Sequence, residues 1–140
     1  MSENYETYVE RVAYCRNTFG PPKDFRLQQA GDLDIQFTGW EISTVDDGEL
    51  RPDRPTVDVS TFYSIKGSYV AEIVRHMPNR DGADKPHITK AKAAAFSSHL
   101  DMLKWLKEDG RGWLGENSKL AWEEMCEKLP WLKDNNAIRV

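Results

Sequence analysis

The chain is short of the residues that staple small domains or hold metals. Among 140 residues it has two cysteines, Cys15 and Cys126, and three histidines, His76, His87 and His99. Two cysteines that far apart exclude a disulfide framework and close metal-ligand spacing, so packed free thiols in a reducing compartment are expected. Histidine separations of 11 and 12 residues match no zinc signature. No window approaches the roughly 18 apolar residues of a membrane-spanning helix. The opening Ser2, Glu3, Asn4 and Glu6 do not resemble a secretory signal, and a cytoplasmic or host-cytoplasmic protein follows. There is no G-x-S-x-G nucleophile elbow, no phosphate-binding loop, no internal repeat and no low-complexity tract. No cofactor is implied.

What is present is a globular balance: 39% hydrophobic and 30% charged residues, with five tryptophans. One domain of this length buries about two thirds of its unfolded surface. A net charge of -4 gives no sign of an acidic ligand mimic. Acid is in excess only in the first half: residues 1–70 carry 7 basic and 12 acidic side chains, residues 71–140 carry 12 and 11.

The strongest local signal is Thr56 to His76. Val57, Val59, Thr61, Tyr63 and Ile65 alternate with Asp58, Ser60, Phe62 and Ser64, Lys66-Gly67 interrupts, and Tyr69, Ala71 and Ile73 restart the alternation. Period two on both sides of a glycine turn predicts an antiparallel hairpin. A lone hairpin is marginal in water, so a further strand or a helix must cover its apolar face.

Residues 3–18 carry Tyr5, Tyr8, Val9, Val12 and Ala13 at helical spacing, with Thr7 and Glu10 as a capping pair and Gly20-Pro21-Pro22 as the stop. Leu33, Ile35 and Phe37 alternate as a strand. At Gly39 the phase shifts, which signals a β-bulge or a close backbone approach. Met77 to Lys90 reads as a loop, Thr89 as the N-cap of a long helix ending at Gly110, and about Asn117 to Leu129 as a last helix stopped by Pro130. Trp131 and Leu132 are expected to fold back, with a loose tail from about Asp134.

Gly110-Arg111-Gly112-Trp113-Leu114-Gly115 matches a dinucleotide fingerprint letter for letter. A helix precedes it where the fingerprint needs a strand, so a helix C-cap and tight loop are expected, with Trp113 as a core plug or an exposed anchor. Asp32 and Asp34 form a D-x-D that no third ligand completes. Cys126 follows Glu123 and Glu124, acids that discourage its thiolate. The densest positive stretch is Arg75, Arg80, Lys85, Lys90 and Lys92 with His76 and His87, against two acids. Such a stretch is a solvated loop, a protein-docking loop or a weak, salt-sensitive grip on nucleic acid.

The run Thr61-Phe-Tyr63-Ser-Ile-Lys-Gly67-Ser-Tyr69-Val70-Ala-Glu-Ile73-Val74 resembles a strand-turn-strand pattern in small bacterial proteins of the EXLDI type, whose function is unassigned. The resemblance covers the hairpin and implies a bacterial or phage origin. The family's naming motif has no copy here.

The expected fold is a single α+β domain: an N-terminal helix, a sheet of about three antiparallel strands (Leu33–Ile42, Thr56–Ile65, Ser68–Met77) in meander order, and two C-terminal helices packed on it. The leading functional expectation is a non-enzymatic interaction or regulatory protein that docks on a macromolecular partner, most simply a protein, through Arg75, His76, Arg80, Lys85, His87, Lys90, Lys92 and Trp113. A nucleic-acid-binding regulator using Arg75 to Lys92 is the second. A small enzyme assembled from His76, His87, Glu72 and Asp58 is the third. An uncovered strand edge would support a homodimer.

Overall fold

The computed structural model describes residues 5–29, 31–48, 53–78 and 87–135. In chain order these form α1 (Tyr8–Phe19), β1 (Lys23–Leu27), β2 (Ile35–Val45), β3 (Thr56–Ser64), β4 (Tyr69–Pro78), β5 (His87–Phe96), α2 (His99–Asp109), α3 (Glu116–Lys128) and a closing 3-10 helix (Pro130–Asn135). The β3–β4 hairpin forms where the alternation requires it. Gly67 takes φ 83° in the turn, Ser64 N donates to Ser68 O at 2.9 Å, and Val59, Thr61 and Tyr63 stand opposite Ile73, Ala71 and Tyr69.

The class is α+β, but the sheet has five strands rather than three, all antiparallel, in the meander order β1-β2-β3-β4-β5. β1 follows the proline break as KDFRL, too short for its period to stand out, and is fixed by pairing: Phe25 faces Phe37 with ring centroids 5.2 Å apart. β5 corrects two expectations at once. Residues 87–96 are neither loop nor helix but a strand paired with β4 over ten positions. Alanine favours helix by only tenths of a kcal/mol per residue over its competitors. A ten-position ladder outweighs that preference, and Ala91, Ala93 and Ala95 alternate on one face, where small side chains let the sheet curl. The helix begins later, at His99, with Ser98 Oγ accepting from Leu100 N at 3.1 Å, and ends at Gly110 as expected.

The bulge falls between Glu41 and Ser43 rather than at Gly39. Gly39 marks instead a close backbone approach: a Cβ there would collide with the Tyr63 carbonyl. The bulge turns Ser43 inward beside Ile42, and Lys128 Nζ donates to the Ile42 carbonyl at 2.9 Å.

α2, α3, α1 and the closing helix cover one face of the sheet. Trp40, Ile42, Val59, Tyr63, Tyr69 and Ile73 pack there against Met102, Leu106, Trp122, Met125, Leu129 and Leu132. Polar groups in this core are only partly paired: Ser43 Oγ bonds both Thr61 Oγ1 (2.5 Å) and the Ala121 carbonyl (2.9 Å), whereas the Tyr63 hydroxyl is buried with no hydrogen-bond partner among the described residues. Trp131 and Leu132 fold back, Leu132 fully buried and Trp131 Nε1 donating to the Tyr69 hydroxyl at 2.8 Å. Asp134 and Asn135 belong to the closing helix rather than a tail, whose remainder lies outside the described residues. Thr7 caps α1, accepting from Glu10 N at 3.3 Å. The inward face of that helix differs from the expected one: Tyr8 and Val9 are exposed, and Cys15 is buried with Val12, Tyr14 and Phe19 beside it. Burial pushes the thiols of Cys15 and Cys126 up to about 12, which makes both inert at neutral pH.

Candidate functional site

No helix among the described residues packs on the opposite face of the sheet. That face closes on itself: the sheet curls until Leu27, at one edge, shares an apolar cluster with Phe62, Val70 and Ala93, and Ala93 N on the outer strand donates to Gln29 Oε1 at 3.3 Å. Phe25, Ile35 and Phe37 flank this cluster, with Phe62 5.1 Å and 5.4 Å from the Phe25 and Phe37 rings. The ends of β1 and β2 therefore act as an arm across the open face.

Under the arm lies a cleft of about 310 Å³. Ile35, Phe37, Val70 and Ala95 give it an apolar wall, and Lys66 and Ser64 stand at the β3–β4 turn. Ser64 is only 4% exposed and its Oγ accepts from Ser68 N (3.0 Å) and Lys66 N (3.3 Å). Among the described residues Lys66 has no carboxylate partner and is the single charged side chain lining the cleft.

Further along the same face the character changes. Glu72 follows Val70 by one strand repeat, opposite Ser60. Its carboxyl is raised above the ordinary 4.5, first by burial and then by Glu41 and Asp58. His76 bridges Asp58 and Thr89, with Nε2 2.9 Å from Asp58 Oδ2 and Nδ1 3.1 Å from Thr89 Oγ1. Thr44 and Ser60 share a 3.0 Å hydroxyl pair. Asp58 stands between Glu72 and His76, hydrogen-bonded to His76 and acting on Glu72 through its charge. No group of three or more His, Cys, Asp or Glu among the described residues is arranged to hold a metal ion.

The basic stretch is divided by the strand geometry. Arg75 and Lys92 turn toward the helices and pair with Asp109, through Arg75 Nη1 at 2.9 Å, a closer contact from Arg75 Nη2, and Lys92 Nζ at 2.6 Å. Burial raises the Asp109 carboxyl, but these two cations outweigh it and hold it below its ordinary value. Lys92 Nζ also sits 4.9 Å from the Trp105 ring centroid. Lys90 stands opposite Arg75 and is exposed. His76 points to the other face, His87 occupies the start of β5, and Arg80 and Lys85 lie outside the described residues. The structure thus brings His76, Asp58 and Glu72 onto one face and separates them from Arg75 and Lys92.

Trp113 is exposed, at 80%, rather than a core plug. Its turn is set by Gly112 N to Lys107 O (2.7 Å), Arg111 N to Glu108 O (3.2 Å) and Trp113 N to Gly110 O (3.3 Å). Of the D-x-D, Asp34 pairs with Arg26 at 2.7 Å and Asp32 accepts from Leu33 N, so both serve the arm. A further cleft of about 260 Å³ at the start of α3 is lined by Asp47, Arg75, Asp109 and Asn117, whose polar groups already bond within the protein.

Sequence reasoning passed over Lys66, Ser64, Phe37 and Phe25 as site residues. The signal for them was apolar residues on both parities: Phe62 breaks the polar row Asp58, Ser60, Ser64, and Phe25 and Phe37 continue it, which marks a second buried face. No family model, curated protein or solved structure matches the chain, so the functional reading rests on these residues. No helix among the described residues is long and apolar enough to cross a membrane.

Proposed function

We propose that this is a non-enzymatic binding protein that takes its ligand on the open, curled face of the sheet. The observation that carries this is the cleft itself: an apolar wall of Ile35, Phe37, Val70 and Ala95, left without a covering helix, with polar groups gathered at one end. Ligand sites are concave, largely apolar and fixed by a few polar groups, and about 310 Å³ lies at the small end of their usual range. The test uses an apolar fluorescent dye and backbone amide NMR. Wild type should bind the dye with shifts confined to 35–38, 64–70 and 95, and Ala95→Phe, which fills the cleft from an exposed position, should abolish both. Dye binding that Ala95→Phe leaves intact would remove the reading.

A second reading, docking of a protein partner, is supported by Trp113 and its hydrogen-bonded turn. Exposed tryptophan on a preorganised turn is the kind of residue that dominates interface energetics. Lysate pull-down with nuclease treatment should recover a partner that Trp113→Ala, or charge reversal at Arg80 and Lys85, releases. Retention by every variant would exclude this surface.

A further inference from the structure

We infer that the cleft takes an amphiphile with an anionic head, a monocarboxylate on an alkyl body, seated head-first at the β3–β4 turn; this rests on the binding reading above. Three observations converge. The Ser64 hydroxyl oxygen accepts from two amides, so what remains for it is to donate, yet it is buried and no described group takes its proton. An acceptor arriving in the cleft would complete it, as buried polar groups require. Beside it, Lys66 is a cation without a carboxylate partner among the described residues. An anion is the complement of a serine donor next to an ammonium.

The third observation is the charge gradient along the face. Glu72 lies two residues beyond Val70, roughly 6–7 Å along the strand, with Asp58 further still from the turn and Glu41 on β2 opposite Phe62. A carboxylate is attracted at the turn and repelled by these acids, so the gradient selects both the sign of the head and its direction. The alkyl body then lies on Phe37, Val70 and Ala95. An amine head would have to sit in reverse, with its chain against Lys66.

Isothermal titration at pH 7 with decanoate, decan-1-ol and decylamine tests this. Decanoate should bind about tenfold more tightly than decan-1-ol, and decylamine more weakly than either. Lys66→Glu, at an exposed position, should erase the decanoate advantage, and Ser64→Ala should weaken decanoate more than decan-1-ol, because a carboxylate is the stronger acceptor. Ala95→Phe should remove binding of all three. Equal affinity for the acid and the alcohol, or indifference to Lys66→Glu, overturns the anionic head while leaving the binding reading standing. Binding of none of the three overturns both.

Discussion

The two faces of one sheet are buried by different means. On one, helices supply large side chains: Met102, Leu106 and Met125 meet Tyr63, Tyr69 and Ile73, with Ser43 bonded to Thr61 and the Ala121 carbonyl between them. On the other, the sheet supplies its own cover, with β1 and the start of β2 drawn over Phe62, Val70 and Ala93. The first arrangement buries Met102, Leu106, Met125, Leu129 and Leu132 completely. The second leaves a cleft and keeps Glu72 half-buried without a described donor. Strand β3 serves both, sending Val59, Thr61 and Tyr63 to the helices and Asp58, Ser60 and Phe62 to the open side. Helix packing and the open cleft side are thereby assigned to opposite parities of the same strand.

Substitutions can break this contrast or sharpen it. The largest effect is expected on the covered face, where Leu106→Ala removes a fully buried side chain and should cost about 2–5 kcal/mol in urea unfolding. Phe37→Ala on the open side removes a partly buried ring and should cost about 1–2 kcal/mol, with loss of ligand binding out of proportion to that change. Equal costs for the two would erase the distinction.

Asp109→Asn loosens α2 from β4 and β5 and should cost about 1 kcal/mol at neutral pH, since Arg75 and Lys92 remain partly solvated. Because the folded carboxyl of Asp109 is held below its ordinary 3.8, its contribution is present above that pH and lost as pH falls through the lower folded value. The gap between wild type and variant should therefore close in acid. Glu72→Gln has the smallest effect and the opposite sign. Its folded carboxyl is raised, so the stability that protonation gives is present below 4.5 and lost as pH rises through the folded value. The variant should melt slightly above wild type at pH 7, with the two curves merging below about pH 4. A variant less stable at pH 7 would mean that Glu72 has a donor.

The hairpin, the cap of α1 and the end of α2 were legible in the sequence because each rests on local chemistry: Gly67 in a left-handed turn, Thr7 as a cap, Gly110 as a stop. β5 was not, because four alanines within residues 91–95 favour helix locally and only the partner strand makes them extended. Of the site, the grouping of His76, Asp58 and Glu72 was legible from their shared strand parity. The cleft was not, because it depends on how far the sheet curls, and that is set by contacts between residues as distant in sequence as Gln29 and Ala93. Similarly, nothing in the spacing of Arg75 and Lys92 told that Asp109, at the end of a helix, would take both.

The bond from Ala93 to Gln29 also bears on self-association. An outer strand normally offers a row of unpaired amides on which a second chain can grow as a further strand. Here a rung in the middle of β5 is already occupied from within, so a strand added to that edge would have to displace Gln29 or leave a gap in its ladder. The same fold-over that shapes the cleft thus works against fibre growth at β5, and loosening the arm would be expected to raise aggregation before it lowered the melting temperature.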